Sequence, residues 1–252
     1  MDLNEYRDRP EEQKRYQSII SILPETGGTL LEIGARDCYI TKKLANRFKT
    51  IYALDLEEPE IRQKGIIPVK GDVTNLEFPD NHFDTVLCAE VLEHIPPEML
   101  QKACDEIVRV AKDRILIGVP FNQDIRMDRT TCSHCGKKNP PFGHVNSFTR
   151  ESLAAFFRNA EVESVHDVGE TKNLRTNPLS VFLMDLAGNP WGPYDQEENC
   201  IHCDHEILAP KKERGVLSKV CSSVALRLKN LQNYSAKTKP HWIHMLLRKT
   251  AS

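Results

Sequence analysis

The sequence contains no apolar run that approaches the ~20 residues a helix needs to cross a bilayer. Its beginning, MDLNEYRDRPEEQKRYQ, is highly charged and lacks the apolar stretch of a secretory signal peptide. These absences argue against membrane-spanning and secreted proteins, and we expect a cytoplasmic location. The 252 residues, 40% apolar and 28% charged, have the composition of an ordinary globular protein and suffice for one large α/β domain with insertions.

The stretch 71–96, GDVTNLEFPDNHFDTVLCAEVLEHIP, predicts a buried strand followed by a change of period. The strand FDTVLCA follows a turn signal, DN. After it, Glu90, Glu93 and His94 stand at i, i+3 and i+4. At this spacing, side chains on a helix lie on one face. Because open α/β sheets bind ligands at the carboxyl ends of their strands, we expect these side chains to lie in a binding site.

The segment before it, TLLEIGARDCYITKKLANRF, predicts a strand over 29–33, a glycine turn and a helix over 39–48. A second strand over 50–54 ends at Asp55, and a third over 66–70 precedes Asp72. This order of elements is typical of nucleotide-binding proteins: a strand, a glycine turn, a helix and then a second strand. The second strand ends in an acid about 20 residues after the glycine turn. The acid can accept hydrogen bonds from both ribose hydroxyls.

Together these segments resemble the class I S-adenosylmethionine-dependent methyltransferases of type 11/12. The matching residues are the LEIGARDCY loop, Asp55 in YALDL, the GDV at 71–73 and FDTVLCAEVLEHI, within roughly 30–120. The resemblance implies S-adenosylmethionine as cofactor and a Rossmann-like, seven-stranded mixed sheet with helices on both faces and an antiparallel seventh strand. The cofactor-binding residues that it implies are Glu32, Gly34, Ala35, Arg36, Asp55, Leu56, Asp72, Val73 and Glu90.

The loop departs from the G-x-G-x-G pattern of that family, because Arg36 and Cys38 replace two of the three glycines. S-adenosylmethionine has no pyrophosphate, so a close backbone cradle is less needed. By resemblance Asp72 lies beside the adenine amine; the alternative is an aspartate that caps a turn.

The rest of the chain supplies the remaining elements of such a domain. A leading helix over 11–23 either covers the cofactor or packs on the sheet. The pattern then predicts a helix over 97–111, a fifth strand over 114–119, a helix over 148–159 with Thr149 as its N-cap, a sixth strand over 162–168 and an amphipathic helix over 215–231. The seventh strand is assigned to 241–248, with 181–186 as the competing assignment. We expect an N-terminal helical cover over 1–28 and a methyltransferase domain over 29–252, with zinc-binding insertions at about 121–147 and 170–240.

Four of the eight cysteines form two CxxC pairs, Cys132 with Cys135 and Cys200 with Cys203. Two such knuckles complete a tetrahedral sulfur site that suits a structural Zn²⁺. The pairs lie about 64 residues apart, but one follows the fifth strand and the other the sixth, so neighbouring parallel strands would bring them to one sheet edge. Disulfides or independent thiols are the alternatives, and a reducing cytosol argues against disulfides.

Methyl transfer from a sulfonium is an in-line displacement, and a hydroxyl acceptor must also lose a proton to a general base or a metal. The candidate groups are Glu90, Glu93, His94 and His144. They resemble the two carboxylates and two histidines that hold a divalent ion in small-RNA 2′-O-methyltransferases. The predicted catalytic residues are His144, His94 and Glu93. The alternatives to a metal site are His144 as a plain general base and a structural role, in which Glu93 and His94 order the strand-to-helix turn.

The acceptor is suggested by the insertion, because CxxCG followed by GHVxxFT resembles bacterial methyltransferases associated with polysaccharide biosynthesis. That implies O-methylation of a sugar or glycan hydroxyl. RNA 2′-O-methylation is the second interpretation, since residues 211–252 hold ten Lys or Arg and one acid, although only Tyr234 and Trp242 could stack on bases. A third is a non-catalytic cofactor-binding or zinc-dependent interaction module, favoured by the missing loop glycines.

Overall fold

A computed structural model of the protein describes residues 7–210 and 215–250. The chain divides into two compact units. The sheet unit comprises the described residues of 7–121, 148–169 and 240–252, and the insertion unit comprises those of 122–147 and 170–239. The start of the predicted N-terminal cover (1–6) and the most basic part of the tail (211–214) lie outside the described residues.

The secondary structure follows the order expected from the sequence. In chain order the strands of the described residues are β1 (Gly27–Ile33), β2 (Phe48–Asp55), β3 (Ile66–Lys70), β4 (Phe83–Ala89), β5 (Ala111–Pro120), β6 (Thr130–Thr131), β7 (Lys138–Asn139), β8 (Ala160–Lys172) and β9 (Thr238–Lys249). Their helices are α1 (Pro10–Ile22), α2 (Tyr39–Leu44), α3 (Pro97–Val110), α4 (Arg150–Ala154), α5 (Pro178–Leu186) and α6 (Val216–Gln232).

Seven strands form one sheet in the order β3-β2-β1-β4-β5-β9-β8. The first five are parallel to their neighbours, and β9 is antiparallel to β5. The predicted Rossmann-like mixed sheet with an antiparallel seventh strand is therefore confirmed. Because Ile33 pairs with both Leu54 and Cys88, the carboxyl ends of β1, β2 and β4 lie side by side.

The sheet is covered on both faces, as expected. Successive strand residues point to opposite sides, so Leu30 and Leu31 enter two different hydrophobic clusters. Ile107 of α3 packs in the cluster of Leu31, and Ile19 of α1 packs in that of Leu30. The leading helix thus packs on the sheet.

Some predicted elements are wrong. Glu90 to His94 form a turn rather than a helix, because Glu90 has a φ of 59° and α3 begins only at Pro97. The helix predicted over 39–48 ends at Leu44, and that over 148–159 ends at Ala154, although Thr149 caps it as predicted by accepting from the Ser152 N–H.

Two further corrections concern the sheet order and its last strand. The segment 181–186 lies inside α5, so the competing assignment for the seventh strand is wrong. The predicted fifth and sixth strands correspond to β5 and β8. They are not neighbours, because β9 lies between them. Adjacency of these two strands therefore does not account for the placement of the CxxC pairs.

The insertion unit is built from a short hairpin, a cysteine-lined cluster and two helices. Strands β6 and β7 pair antiparallel, with Thr130 opposite Asn139. Helices α5 and α6 pack against each other. Among the described residues, no helix combines the length and the apolar character that a membrane span requires.

Candidate functional site

The loop after β1 turns sharply at Gly34. Its N–H and that of Ala35 both donate to the Leu54 carbonyl, at 2.8 and 3.1 Å, which ties the loop to the end of β2. Gly34 has a φ of 80°, and a Cβ there would lie 2.4 Å from Val91 Cγ2. Both the backbone conformation and the close approach therefore require glycine at this position.

The two non-glycine positions of the loop keep a glycine-like backbone. Arg36 has a φ of 46° and Cys38 a φ of 58°, so both lie in the left-handed region. That conformation costs a side chain about 1–2 kcal/mol per residue. The loop therefore departs from the G-x-G-x-G pattern in residue type while adopting left-handed backbone at all three of its glycine positions.

Asp55 closes this loop from the end of β2. Its Oδ2 accepts from the Arg36 N–H and its Oδ1 from the Leu56 N–H, each at 2.7 Å. A carboxylate has about four acceptor positions, so two remain for ribose hydroxyls. The Leu56 side chain beside it is exposed.

Asp72 caps a turn after β3, which was the alternative interpretation of this residue. Its Oδ1 accepts from the Thr74 N–H at 2.8 Å, and Asn75 N–H donates to its carbonyl at 2.9 Å. Val73 is buried in the core. The second carboxylate oxygen is compatible with a contact to adenine, and that role stays a prediction.

Glu32 is buried in β1 close to the loop. Its Oε2 accepts a 2.5 Å hydrogen bond from the Thr41 hydroxyl. Burial raises the pKa of Glu32 to about 7, although the Thr41 hydrogen bond and the Arg7 charge lower it. Near neutral pH this carboxyl is therefore poised between its two protonation states.

Glu90, at the end of β4, connects two distant parts of the sheet unit. Its Oε2 accepts from Trp242 Nε1 at 3.0 Å and lies 3.4 Å from Arg15 Nη1. Arg15 in turn donates to Glu12 at 2.6 and 2.9 Å. Burial raises the pKa of Glu90, and the Arg15 charge and the Trp242 hydrogen bond oppose that shift.

Glu93 and His94 follow in the same turn. Glu93 is 1% exposed, and neither of its carboxylate oxygens has a hydrogen-bond partner among the described residues. Burial, reinforced by the charge of Glu90, raises the pKa of Glu93 well above its usual range. Burial and the Arg36 charge lower the pKa of His94 to about 4, so its imidazole is neutral near pH 7.

His144 belongs to the insertion unit, whereas Glu90, Glu93 and His94 belong to the sheet unit. Within its own unit, His144 Nδ1 lies 2.6 Å from the amide oxygen of Gln123. The Ser147 hydroxyl donates to the Gln123 carbonyl, also at 2.6 Å. The grouping of all four residues around one ion stays a prediction from the sequence.

The four CxxC cysteines meet in the insertion unit. All four sulfur atoms lie within 4.8 Å of one another, with Cys132–Cys203 at 3.7 Å and Cys135–Cys200 at 3.6 Å. Zn–S bonds of about 2.3 Å in a tetrahedron place sulfur atoms about 3.8 Å apart. The thiols therefore fit a four-sulfur zinc site in number, type and spacing, and they are too far apart for disulfides.

The two knuckles have similar backbones. Gly136 N–H donates to the Cys132 carbonyl at 2.9 Å and Asp204 N–H to the Cys200 carbonyl at 2.8 Å, and both donors have a positive φ, of 71° and 57°. His202 Nε2 contacts the Lys138 carbonyl, so this histidine is engaged outside the sulfur cluster.

Three residues that the sequence did not place at the catalytic or cofactor site lie beside the predicted site residues. Arg15 and Trp242 contact Glu90, and Gln123 contacts His144. The sequence holds one local indication of the role of Arg15: it stands three residues after Glu12 on α1, a spacing at which the two side chains can pair. Trp242 and Gln123 have none, because their contacts depend on strand pairing and loop path.

The strand order, the antiparallel β9 and the loop closed by Asp55 at the carboxyl ends of the parallel strands define the class I methyltransferase fold. Residues 31–115 match the family profile described as "Methyltransferase domain". This part of the chain is a methyltransferase domain, and the protein is an S-adenosylmethionine-dependent methyltransferase. No protein with a curated description matches the chain significantly.

Solved structures share the fold over nearly the whole chain. A candidate methyltransferase of Bacillus halodurans C-125 is 15% identical with a TM-score of 0.59, covering 94% of this chain and 99% of its own. The 1,6-didemethyltoxoflavin-N1-methyltransferase of Burkholderia thailandensis, solved with 1,6-didemethyltoxoflavin and S-adenosylhomocysteine, is 16% identical with a TM-score of 0.54, covering 98% and 84%. The [4+2]-cyclase SpnF is 14% identical with a TM-score of 0.54, covering 95% and 81%. At these identities the likeness concerns the fold alone.

Proposed function

We propose that the protein methylates a hydroxyl group of a sugar or glycan, with S-adenosylmethionine as the methyl donor. The observation that carries this proposal is the pair of His144 and Gln123. Because the amide oxygen of Gln123 accepts, Nδ1 of His144 carries the proton and Nε2 is the basic nitrogen of the neutral ring. A hydroxyl acceptor must lose its proton, and a basic nitrogen of this kind can accept it.

In the proposed reaction the acceptor oxygen attacks the methyl carbon and the carbon–sulfur bond breaks. The hydroxyl proton moves to His144 Nε2. Holding the oxygen about 3–3.5 Å from the methyl carbon supplies much of the rate enhancement, and general-base catalysis contributes about 10²–10⁴-fold.

For the cofactor, we assign the ribose hydroxyls to Asp55 and the adenine end to Asp72, Val73 and Leu56. Glu32, Glu90 and the backbone of the 34–36 loop would face the amino acid end. An ionised Glu32 suits the ammonium group, and its pKa of about 7 means that a bound cation would favour the charged form.

We also propose that Cys132, Cys135, Cys200 and Cys203 hold a structural zinc ion. Four thiolates leave no open coordination position, so this metal would stabilise the insertion unit and take no part in catalysis. Structural zinc supplies about 10–16 kcal/mol of binding free energy in small peptides, which is large beside the stability of a small unit.

A metal-dependent version of the reaction is the alternative for the acceptor side. Glu90, Glu93, His94 and His144 would hold a divalent ion of intermediate hardness, such as Mn²⁺, that lowers the pKa of the acceptor hydroxyl. The neutral state of His94 supports this version, because neutral imidazole is the form that binds metals.

RNA 2′-O-methylation is the second candidate function, and the basic segment after residue 214 favours it. The interpretation as a module without catalysis loses its main argument, because Arg36 and Cys38 adopt the left-handed backbone that the missing glycines would have supplied.

Labelled methyl transfer to three acceptor classes tests the proposal: nucleotide sugars, lipid-linked or free oligosaccharides, and short RNAs. We expect label on a carbohydrate in a base-stable linkage, since a methyl ether survives alkali and a methyl ester does not. Label on RNA alone would overturn the proposal. His144→Ala should lower kcat by about 10²-fold or more without changing the affinity for S-adenosylmethionine, whereas His166→Ala, on the exposed part of β8, should leave kcat unchanged.

A further inference from the structure

Helices α5 and α6 of the insertion unit form an antiparallel pair. Asn177, the N-cap of α5, donates through Nδ2 to Gln232 Oε1 at the end of α6, at 2.8 Å. At the other end, the Ser218 hydroxyl near the start of α6 donates to the carbonyl of Ala187, also at 2.8 Å. The two hydrogen bonds join opposite ends, so the orientation of the pair is fixed.

This pair buries small side chains and exposes eight of its large apolar ones. Ser180 of α5 and Cys221, Ser222 and Ala225 of α6 are buried. The exposed large apolar residues are Leu179, Phe182 and Leu186 on α5, and Val216, Leu217, Val220, Val224 and Leu231 on α6. Phe182 is 61% exposed, Val216 79% and Leu231 78%. A surface helix of a water-soluble protein normally shows the reverse arrangement.

The exposed residues form stripes rather than scattered positions. On α5 they stand at i, i+3 and i+7. On α6, at about 100° per residue, all five fall within an arc of about 100°. Two exposed apolar stripes of this kind, with Arg227 inside the arc of the α6 stripe, mark a binding surface, since monomeric proteins seldom expose large apolar areas without a function.

The charge on α6 and on the segment that follows it has one sign, although α5 carries Asp185, which pairs with Arg129 and Lys138. From 215 to 239 the sequence holds five Lys or Arg and no acid. Lys219 and Arg227 are exposed on α6 itself. A second copy of the same face would bring these like charges together, which argues against self-association. A surface that offers both apolar groups and negative charge matches the apolar stripes and the basic side chains.

We propose that the α5–α6 face docks the insertion unit onto an anionic lipid bilayer. The helices would lie in the interface, with the apolar stripes among the acyl chains and Lys219 and Arg227 at the lipid phosphates. They would lie on the membrane without crossing it. This inference does not depend on the acceptor of the methyl group.

Vesicle co-sedimentation of the full chain tests the proposal. The probes are vesicles of phosphatidylcholine alone and vesicles with about one third phosphatidylglycerol. We expect binding to the anionic vesicles, which weakens as sodium chloride rises from about 0.15 to about 0.5 M. The pair Phe182→Ser and Leu231→Ser should weaken binding by about tenfold or more, and so should Lys219→Glu with Arg227→Glu.

Val162→Ser is the matched control, because Val162 is an exposed apolar residue on β8 in the sheet unit. It should leave vesicle binding unchanged. Unaltered S-adenosylmethionine affinity and circular dichroism show that each variant is folded. Equal sedimentation with neutral and anionic vesicles, or wild-type binding by the Phe182→Ser, Leu231→Ser variant, would overturn the proposal. A wild-type dimer that this variant disperses, without vesicle binding, would assign the face to a second copy instead.

Discussion

The backbone N–H of Arg36 donates to Asp55 Oδ2 across 2.7 Å, at a loop residue whose φ is 46°. The acid at the end of β2 therefore stabilises the left-handed turn after β1 as well as facing the predicted ribose position. If Asp55 binds the ribose as proposed, cofactor recognition and loop conformation share this one carboxylate, and a change at Asp55 acts on both.

Asp55→Ala should weaken the binding of S-adenosylmethionine by about 2–4 kcal/mol, because two charge-assisted hydrogen bonds to the ribose are lost. Isothermal calorimetry measures the change. Asp113→Ala, an exposed acid near the start of β5, serves as the control and should bind like the wild type. Unchanged affinity of Asp55→Ala would refute the ribose assignment.

Arg36→Gly should leave the free energy of unfolding unchanged or raise it by up to about 1 kcal/mol. Relief of the left-handed backbone, worth about 1–2 kcal/mol, is partly offset by the greater chain entropy of glycine. Arg36→Val should lower stability, since a β-branched residue tolerates positive φ poorly. Urea denaturation of the wild type and the two variants measures their order of stability. If Arg36 also pairs with the methionine carboxylate, both variants should bind S-adenosylmethionine more weakly, and equal affinity in all three proteins would rule that pairing out.

Glu32 should make the ligand-free protein less stable as pH rises. Its folded pKa, about 7, lies above the ordinary value of 4.5, so the folded state holds a proton that the unfolded state releases. The free energy of unfolding should fall between about pH 4.5 and 7, by roughly 3 kcal/mol for this group. Glu32→Gln removes the effect, so the difference between variant and wild type isolates it. If the free energy of unfolding depends on pH in the same way in both proteins, the raised pKa of Glu32 is contradicted.

Cys132→Ser and Cys200→Ser should each reduce bound zinc well below the roughly one equivalent expected for the wild type. Elemental analysis of protein purified without chelator measures this. Cys221→Ser, a thiol of the same unit outside the cluster, should retain the metal. Less than one tenth of an equivalent in the wild type, with all four thiols freely titrating, would end the zinc assignment.

For the acceptor side, the metal-dependent alternative predicts that EDTA abolishes turnover and that added Mn²⁺ restores it, while S-adenosylmethionine still binds. Because EDTA also competes for zinc, circular dichroism of the same sample must show an intact fold. Full activity of the His94→Ala, His144→Ala double variant would exclude both the metal and the general-base versions.

The parallel half of the sheet was predictable because it rests on local patterns. A buried strand that ends in a turn and an acid can be read within about ten residues, as at Asp55. The helix predicted at Glu90 failed because i, i+3, i+4 spacing also occurs in a turn, and a positive φ leaves no mark in the sequence. The long-range contacts of Glu90 with Trp242 and Arg15 depend on how distant segments fold together, which spacing does not encode.

The same limit explains the outcome for the amphipathic helix over 215–231. The helix forms over Val216–Gln232, but periodicity shows only that apolar residues share a face. Whether that face meets a core or the solvent depends on what packs against it. In α6 the small residues Cys221 and Ala225 take the inner position.

The cysteine cluster also has a consequence for how the chain assembles. Cys132 and Cys135 are made early, but their partners follow only after α4 and β8 have been synthesised, about 64 residues later. During that interval the first knuckle is an exposed dithiol that can be oxidised or can take up the wrong metal. If the cluster holds the proposed zinc ion, correct maturation of the insertion unit depends on the reducing state and the zinc supply during synthesis as well as on the finished sequence.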